Sequence, residues 1–285
     1  VIAHIDDQSD ERRSEYLALF KPDNIEAVII ADLEANPIKS ETKDLILATF
    51  YIEWGYNARG SAGADDVGAD NFRLLEDRLH KALAAIRPHV ESKNPSHNVL
   101  LSYLDIRPHI WFEDKAELDK KVDDDANALY PSSYQLARRK LHFMVEKWGG
   151  SKELAWNFAT ELSDQFPEDS KLACLPYYAI YEEYLSIEMI QNEQDEARSF
   201  IKGEDAKKRL APYRERILGN PARARSACYS IPIGWYIRSQ QFADCWKIAQ
   251  AVGGTYARDG FFGTYILDED AKGIESYLIN LFGQD

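Results

Sequence analysis

Apolar residues recur every three or four positions through most of the chain, which is the period of a helix buried on one face. Three such stripes stand out, consisting of Phe72, Leu75, Leu79, Leu83, Ile86 and Val90, of Tyr134, Ala137, Leu141, Met144 and Trp148, and of Leu154, Phe158, Leu162 and Phe166. The alternation typical of strands is almost absent. The pattern therefore predicts an all-α protein.

Residues typical of helix ends mark many of the boundaries. Ser40 precedes an apolar run that stops at Gly55, and Gly149 and Gly150 follow the second stripe. Pro176 lies within an apolar segment, where it should kink the helix or delay its start. The predicted helices span residues 10–20, 23–35, 40–55, 69–90, 96–106, 114–128, 131–147, 151–165, 170–188, 191–201, 204–218, 228–240, 242–252 and 268–282.

The connections between these segments are short, so successive helices should be antiparallel neighbours. Many helices of modest length favour a series of stacked hairpins over a closed bundle of a few long ones. We therefore expect a tetratricopeptide-like α-solenoid of antiparallel helix pairs, forming one elongated domain over residues 1–285, with a subdivision near residue 150 as the alternative. A strict 34-residue signature is missing, so the repeats would be degenerate.

The overall charge restricts the class of partner. The chain has 34 Lys and Arg against 48 Asp and Glu, a formal charge of −14. Such a charge repels phosphate backbones and argues against nucleic acid, whereas it suits a basic protein partner or simple solubility. No apolar run is long enough to cross a membrane. We expect a cytoplasmic protein, or a periplasmic one if a signal was removed before Val1; the oligomeric state stays open.

Three cysteines, Cys174, Cys228 and Cys245, lie among apolar neighbours without a CxxC pair. They are expected to be buried thiols rather than a disulfide framework. The six histidines do not have the spacing of a zinc site, and the phosphate-binding and metalloprotease motifs are missing. We accordingly predict no cofactor, no metal and no catalytic residue.

Two acidic stretches and one basic stretch are the sharper features. Six acids without a Lys or Arg lie between Glu182 and Glu196, and seven acids with three lysines lie between Glu113 and Asp125. They are either solvated helix faces or an anionic surface for a basic partner. The second interpretation assigns partner binding to Glu182, Glu183, Glu188, Asp123, Asp124 and Asp125. The basic stretch 202–225 could dock on an acidic stretch within the chain, bind an acidic partner, or be exposed.

Tyrosines follow one face of the helix that carries the first acidic stretch. Tyr177, Tyr181 and Tyr184 are spaced by four and three positions. They could pack in the core. Alternatively, they could line the concave face of a solenoid, where rigid aromatic side chains bind a protein or peptide. In this alternative they join the acids as partner-binding residues.

The longest segment without a helical pattern is the glycine-rich loop 57–68. Arg59 could satisfy carbonyls at a helix end, or bind an anion in a pocket beside Trp54. The same loop supports an alternative of another class, a hydrolase whose polar pocket is formed by Arg59, Asp65 and Asp66 with the distant His109.

Two short motifs resemble a bacterial domain-of-unknown-function family. One is the Ala-Arg-Gly-Ser element of residues 58–61, which follows a helix ending near Trp54; the other is the Trp-Gly-Gly-Ser turn of residues 148–151, after a helix that begins with Pro131. The resemblance implies a tetratricopeptide-like helical protein without established chemistry, and it carries over no catalytic residue. The expected function is a non-enzymatic protein-binding module, most concretely a bacterial immunity or accessory protein that masks a basic partner.

Overall fold

A computed structural model describes residues 26–60, 67–169, 171–190, 193–219 and 230–251. Within these ranges every regular element is a helix or a helical turn, so the all-α prediction is confirmed. The chain contacts divide it into two compact units, 1–131 and 132–285. The solenoid arrangement and the single elongated domain stay predictions.

The first unit contains five described helices: α1 (Glu26–Ala35), α2 (Glu41–Arg59), α3 (Ala69–Val90), α4 (His97–Ile106) and α5 (Lys115–Leu129). Ser40 begins α2 by accepting a hydrogen bond from the Lys43 amide at 3.1 Å, as the sequence predicted. A short 3-10 turn, Arg107–His109, follows α4.

Helices α2 and α3 form an antiparallel hairpin at the centre of the first unit. His89, near the end of α3, contacts Asp44 at the start of α2, with 2.8 Å between Nε2 and Oδ2. Arg78, in the middle of α3, donates to the Trp54 carbonyl near the end of α2. Five of the six apolar residues predicted on α3 are buried, whereas Phe72 is 38% exposed. The helical period therefore identified the core face of α3 correctly.

Helix α5 is attached to the rest of the first unit partly through a lysine. Lys121 Nζ donates to the carbonyls of Val90 and Ser92 at 2.9 and 3.0 Å, and it also contacts Asp125. Val90 ends α3, so the ammonium group satisfies backbone acceptors that a helix end leaves without partners.

The second unit contains seven described helices: α6 (Tyr134–His142), α7 (Lys152–Gln165), α8 (Leu175–Leu185), α9 (Gln194–Lys202), α10 (Glu204–Gly219), α11 (Ser230–Arg238) and α12 (Phe242–Ala251). Helix α8 lies at the centre and packs against α6, α7, α9, α10 and α11. It continues into a π-helical turn, Ser186–Ile190. The core around it is rich in aromatic residues and includes the fully buried Trp235.

Several predicted boundaries need correction. The helix expected over 131–147 begins only at Tyr134, since Ser133 is its N-cap, and ends at His142. The helix expected from residue 170 begins at Leu175 with Pro176 in its first turn, which confirms the delayed start. The helices predicted at 10–20 and 268–282 lie outside the described residues.

Candidate functional site: an acidic pocket in the second unit

A cavity of about 180 Å³ lies between α7, α8, the π-helical turn and α9. Its apolar wall includes Val145, Ala155 and Ile187. Its polar groups are four glutamates, one lysine and one serine, namely Glu146, Glu182, Glu183, Glu196, Lys152 and Ser186. One water needs only about 15 Å³, so the cavity has room for an extended side chain as well as solvent. The second unit therefore contains a pocket with more negative than positive groups.

The turn at residues 144–151 brings two of these charges to the pocket. Gly149 adopts a left-handed conformation with φ 86° and ψ 7°. The amides of Gly150 and Ser151 donate to the carbonyls of Val145 and Met144 at 3.1 and 2.9 Å. Ser151 then begins α7 by accepting from the Leu154 amide. This tight reversal places Glu146 on one side of Gly149 and Lys152 on the other.

Glu182 is the buried carboxylate of the pocket, with only 3% of its surface exposed. Its Oε1 lies 2.9 Å from Nδ1 of His142, and the Tyr178 hydroxyl lies 3.0 Å from the same nitrogen. Burial, together with the charge of Glu182, raises the pKa of Tyr178 well above its usual value. Tyr178 therefore keeps its proton, and its hydroxyl remains a hydrogen-bond donor, to a higher pH than an exposed tyrosine would.

The other three glutamates differ in how far they are neutralised. Glu183 accepts a hydrogen bond from Arg209 at 3.1 Å. Glu146 accepts one from the Ser186 hydroxyl at 3.1 Å and forms no ion pair with a described residue, although Lys152 lines the same cavity. Glu196 is exposed and forms no ion pair with any described residue. A cation entering the pocket would thus meet at least two carboxylates that have no cationic partner in the described ranges.

Arg209, which belongs to the basic stretch 202–225, binds within the second unit. Its guanidinium lies 4.2 Å from the centre of the Trp156 ring while it binds Glu183. Arg214 pairs with Asp244 at 3.0 Å, and Arg216 donates to the Ser163 carbonyl at 2.7 Å. These arginines dock within the second unit, so this part of the stretch is used intramolecularly.

The predicted partner-binding tyrosines lie in the core. Tyr177 and Tyr181 are fully buried and Tyr184 is 4% exposed, so the core-packing alternative describes their position. The hydroxyls of Tyr177 and Tyr236 lie 2.5 Å apart, and Tyr184 donates to Glu188 at 2.5 Å. The three rings therefore lack the exposed contact surface that the binding alternative requires.

The acids predicted to bind a partner lie in two different environments. Glu182 and Glu183 line the pocket, whereas Glu188 does not. In the first unit Asp123 contacts Arg107 at 3.3 Å, and Asp124 and Asp125 contact lysines at 2.5 Å. Each of these aspartates is therefore already partnered by a cation, which weakens the case for an anionic surface at α5.

Arg59 and Trp54 make separate contacts among the described residues, and a shared pocket beside the loop stays a prediction, because residues 61–66 lie outside the described ranges. Arg59 donates to the neighbouring Gly60 carbonyl at 3.0 Å, at the end of α2, and lies 5.7 Å from the Phe72 ring centre. The Trp54 ring is covered by Arg78 at 3.7 Å. His109 contacts the Tyr56 hydroxyl at 2.7 Å. Asp65 and Asp66, which the hydrolase alternative needs, lie outside the described residues, so it stays a prediction.

Cys174 and Cys245 are buried free thiols, as predicted, and Cys228 falls outside the described ranges. Among the residues with a described position, no group of three or more His, Cys, Asp or Glu side chains could hold a metal ion. No helix in this part of the chain is long and apolar enough to cross a membrane.

Sequence reasoning missed Glu146, Glu196 and Lys152 as members of one site. Glu196 belongs to the acidic stretch, and Glu146 lies two residues before Trp148 of the Trp-Gly-Gly-Ser turn. A tight turn that reverses the chain was a usable signal, because it brings flanking charges to the same end of two helices.

Protein-family models, curated proteins and solved structures were compared with this chain, and none matches. The resemblance based on the Ala-Arg-Gly-Ser and Trp-Gly-Gly-Ser elements thus stays a prediction.

Proposed function

We propose that this chain is a non-enzymatic protein-binding module that takes a basic protein partner, and that a Lys or Arg side chain of the partner enters the acidic pocket. The observation that carries the proposal is the imbalance of charge in the cavity, with Glu146 and Glu196 lacking a cationic partner among the described residues. A cationic side chain would complete the ion pairing that the fold leaves open.

The geometry supports a defined position for the incoming cation. Glu146 is held by the turn at Gly149 and by the Ser186 hydroxyl, and Glu183 is fixed by Arg209. A pre-positioned carboxylate loses little conformational freedom on binding, which strengthens the interaction. Meanwhile the overall charge of −14 attracts a basic protein from a distance, and this effect weakens with added salt.

In its most concrete form, the proposal is a bacterial immunity or accessory protein that masks a cationic partner by covering its surface. Masking of this kind needs tight and fast association but no reaction. Electrostatic attraction increases the association rate, and a buried ion pair slows dissociation.

The test compares two variants with the same change of charge. Glu196 lines the pocket, whereas Glu161 is an exposed residue of α7 that does not. With hexa-arginine as the probe, isothermal titration calorimetry of Glu196→Gln should show about tenfold weaker binding than the unchanged protein, the size expected for loss of a charge-assisted hydrogen bond. Glu161→Gln should bind nearly as well as the unchanged protein. Equal effects of both substitutions would mean that only the net charge matters, and the pocket proposal would fail.

A further inference from the structure

The first unit has an exposed tryptophan that the core does not use. Trp111 follows the Arg107–His109 turn and is 73% exposed, more than any other large apolar side chain in the described residues. Its neighbour Ile110 is buried at 5%. Exposed single apolar residues are common, but exposing a tryptophan to water costs more free energy than exposing a smaller apolar side chain.

The loop that carries Trp111 is held in place by several contacts. Asp114 forms an ion pair with Arg87 of α3. Lys115 Nζ donates to the Arg107 carbonyl at 2.5 Å, and the Lys115 amide donates to the Phe112 carbonyl at 3.2 Å. Both cations also lie over the Phe112 ring, at 5.8 and 5.5 Å from its centre. The indole is therefore presented by a braced loop, and binding through it would cost little ordering of the chain.

Two other tryptophans of the described residues have a cation over the ring. Arg78 covers Trp54 at 3.7 Å and Arg209 covers Trp156 at 4.2 Å. By contrast, no described ring or cation contacts Trp111. Its indole face is thus open to a cation from another molecule.

The charges beside Trp111 identify the kind of partner. Glu113, two residues further along the loop, and Glu117, in the first turn of α5, are both exposed. Neither forms an ion pair with a residue in the described ranges, whereas the nearby Asp114 and Asp119 both do. The nearest charges in sequence that have no ionic partner among the described residues are therefore negative.

We infer that Trp111 and Glu113 form a second binding surface, on which the Trp111 ring receives a Lys or Arg side chain of a basic protein partner and Glu113 pairs with its charge. This surface shares the basic partner of the proposed function, but it belongs to the other unit and rests on separate observations. An exposed aromatic residue with nearby carboxylates combines the two groups that bind a cationic side chain best.

The test follows Trp111 directly. The indole N–H signal of Trp111 in an NMR spectrum of ¹⁵N-labelled protein is assigned by its loss in Trp111→Phe, and it should shift on titration with hexa-arginine but not with hexa-glutamine. The dissociation constant from calorimetry should rise about fivefold in Trp111→Ala. Leu129→Ala, at another exposed apolar residue of the first unit, is the matched control and should bind as the unchanged protein does.

Three results would overturn the inference. The Trp111 signal could stay fixed while the peptide binds; hexa-glutamine could shift it equally; or the unchanged chain could sediment as a dimer that Trp111→Ala makes monomeric, which would identify a second copy as the occupant. The result is separable from that for the pocket: a loss of affinity in Glu196→Gln with none in Trp111→Ala would leave the pocket proposal standing and refute this one.

Discussion

Gly150→Ala should be one of the most damaging single-methyl additions in the second unit. A Cβ at residue 150 would lie 1.8 Å from the Met144 carbonyl oxygen and 2.4 Å from its carbon, where real contacts stay above 3.0 Å. Both neighbours are backbone atoms, so no side chain can rotate away. The turn itself would have to open, and the hydrogen bonds to the Met144 and Val145 carbonyls would be lost with it.

The size of the effect follows from these contacts. Overpacking that displaces backbone costs about 1–3 kcal/mol, and each lost backbone hydrogen bond about 1 kcal/mol. We therefore expect the free energy of unfolding to fall by about 3–5 kcal/mol, a large share of the stability of an ordinary domain. Urea unfolding followed by far-ultraviolet circular dichroism measures this difference.

Two other glycines provide graded controls. Gly149 has open space around its Cβ position but a φ of 86°, so Gly149→Ala should cost only the strain of a left-handed alanine, about 1–2 kcal/mol. Gly219 ends α10, and no described atom lies within 4 Å of its Cβ position, so Gly219→Ala should change stability by less than about 0.5 kcal/mol. If Gly150→Ala costs no more than Gly149→Ala, the close approach to Met144 is not a constraint and the reasoning is wrong.

Two further predictions concern buried polar groups of the second unit. His142→Leu removes the histidine that pairs with the buried Glu182 carboxylate, so the free energy of unfolding should fall by about 2–4 kcal/mol. Adding Glu182→Gln should restore part of this loss in a double-mutant cycle. Additive effects of the two substitutions would contradict the pairing. Burial raises the pKa of Tyr177 well above 10 and that of Tyr236 to about 12, so the unfolded chain binds fewer protons above pH 10 and stability should fall as pH rises from there. Urea unfolding of Tyr177→Phe should show a shallower fall between pH 10 and 11.5, and an unchanged slope would refute the assignment.

The helical period predicted which residues share a face, but it could not say what covers that face. On α3 the predicted stripe is the core. On α7 the first residue of the predicted apolar stripe, Leu154, is 51% exposed, while Ala155 and Ala159 are buried. Small residues let α8 approach closely, and this choice depends on the partner helix rather than on hydrophobicity along α7. The same limit applies to Tyr177, whose position in the core depends on helices more than fifty residues away.

The acidic pocket was only partly accessible from the sequence for a related reason. The acidic stretch identified Glu182, Glu183 and Glu196 as neighbours along the chain. The pattern could not show that Arg209 neutralises Glu183 or that Glu146 joins them across a turn, because both facts depend on packing between helices distant in sequence. A run of charges along the chain therefore indicates where charged groups cluster. It does not indicate which of them form ion pairs within the fold.

The central position of α8 has a consequence for how the second unit can be shortened. Linear arrays of repeats lose terminal repeats one at a time, because each repeat contacts only its neighbours. Here the Tyr177 hydroxyl on α8 forms its hydrogen bond with Tyr236 of α11, which follows α8 in sequence. Helix α8 also contacts α6 and α7, which precede it. A chain truncated before α11 would leave a tyrosine hydroxyl and much of the surface of α8 uncovered. We therefore expect the helices packed around α8 to unfold together rather than one after another from the C-terminal side.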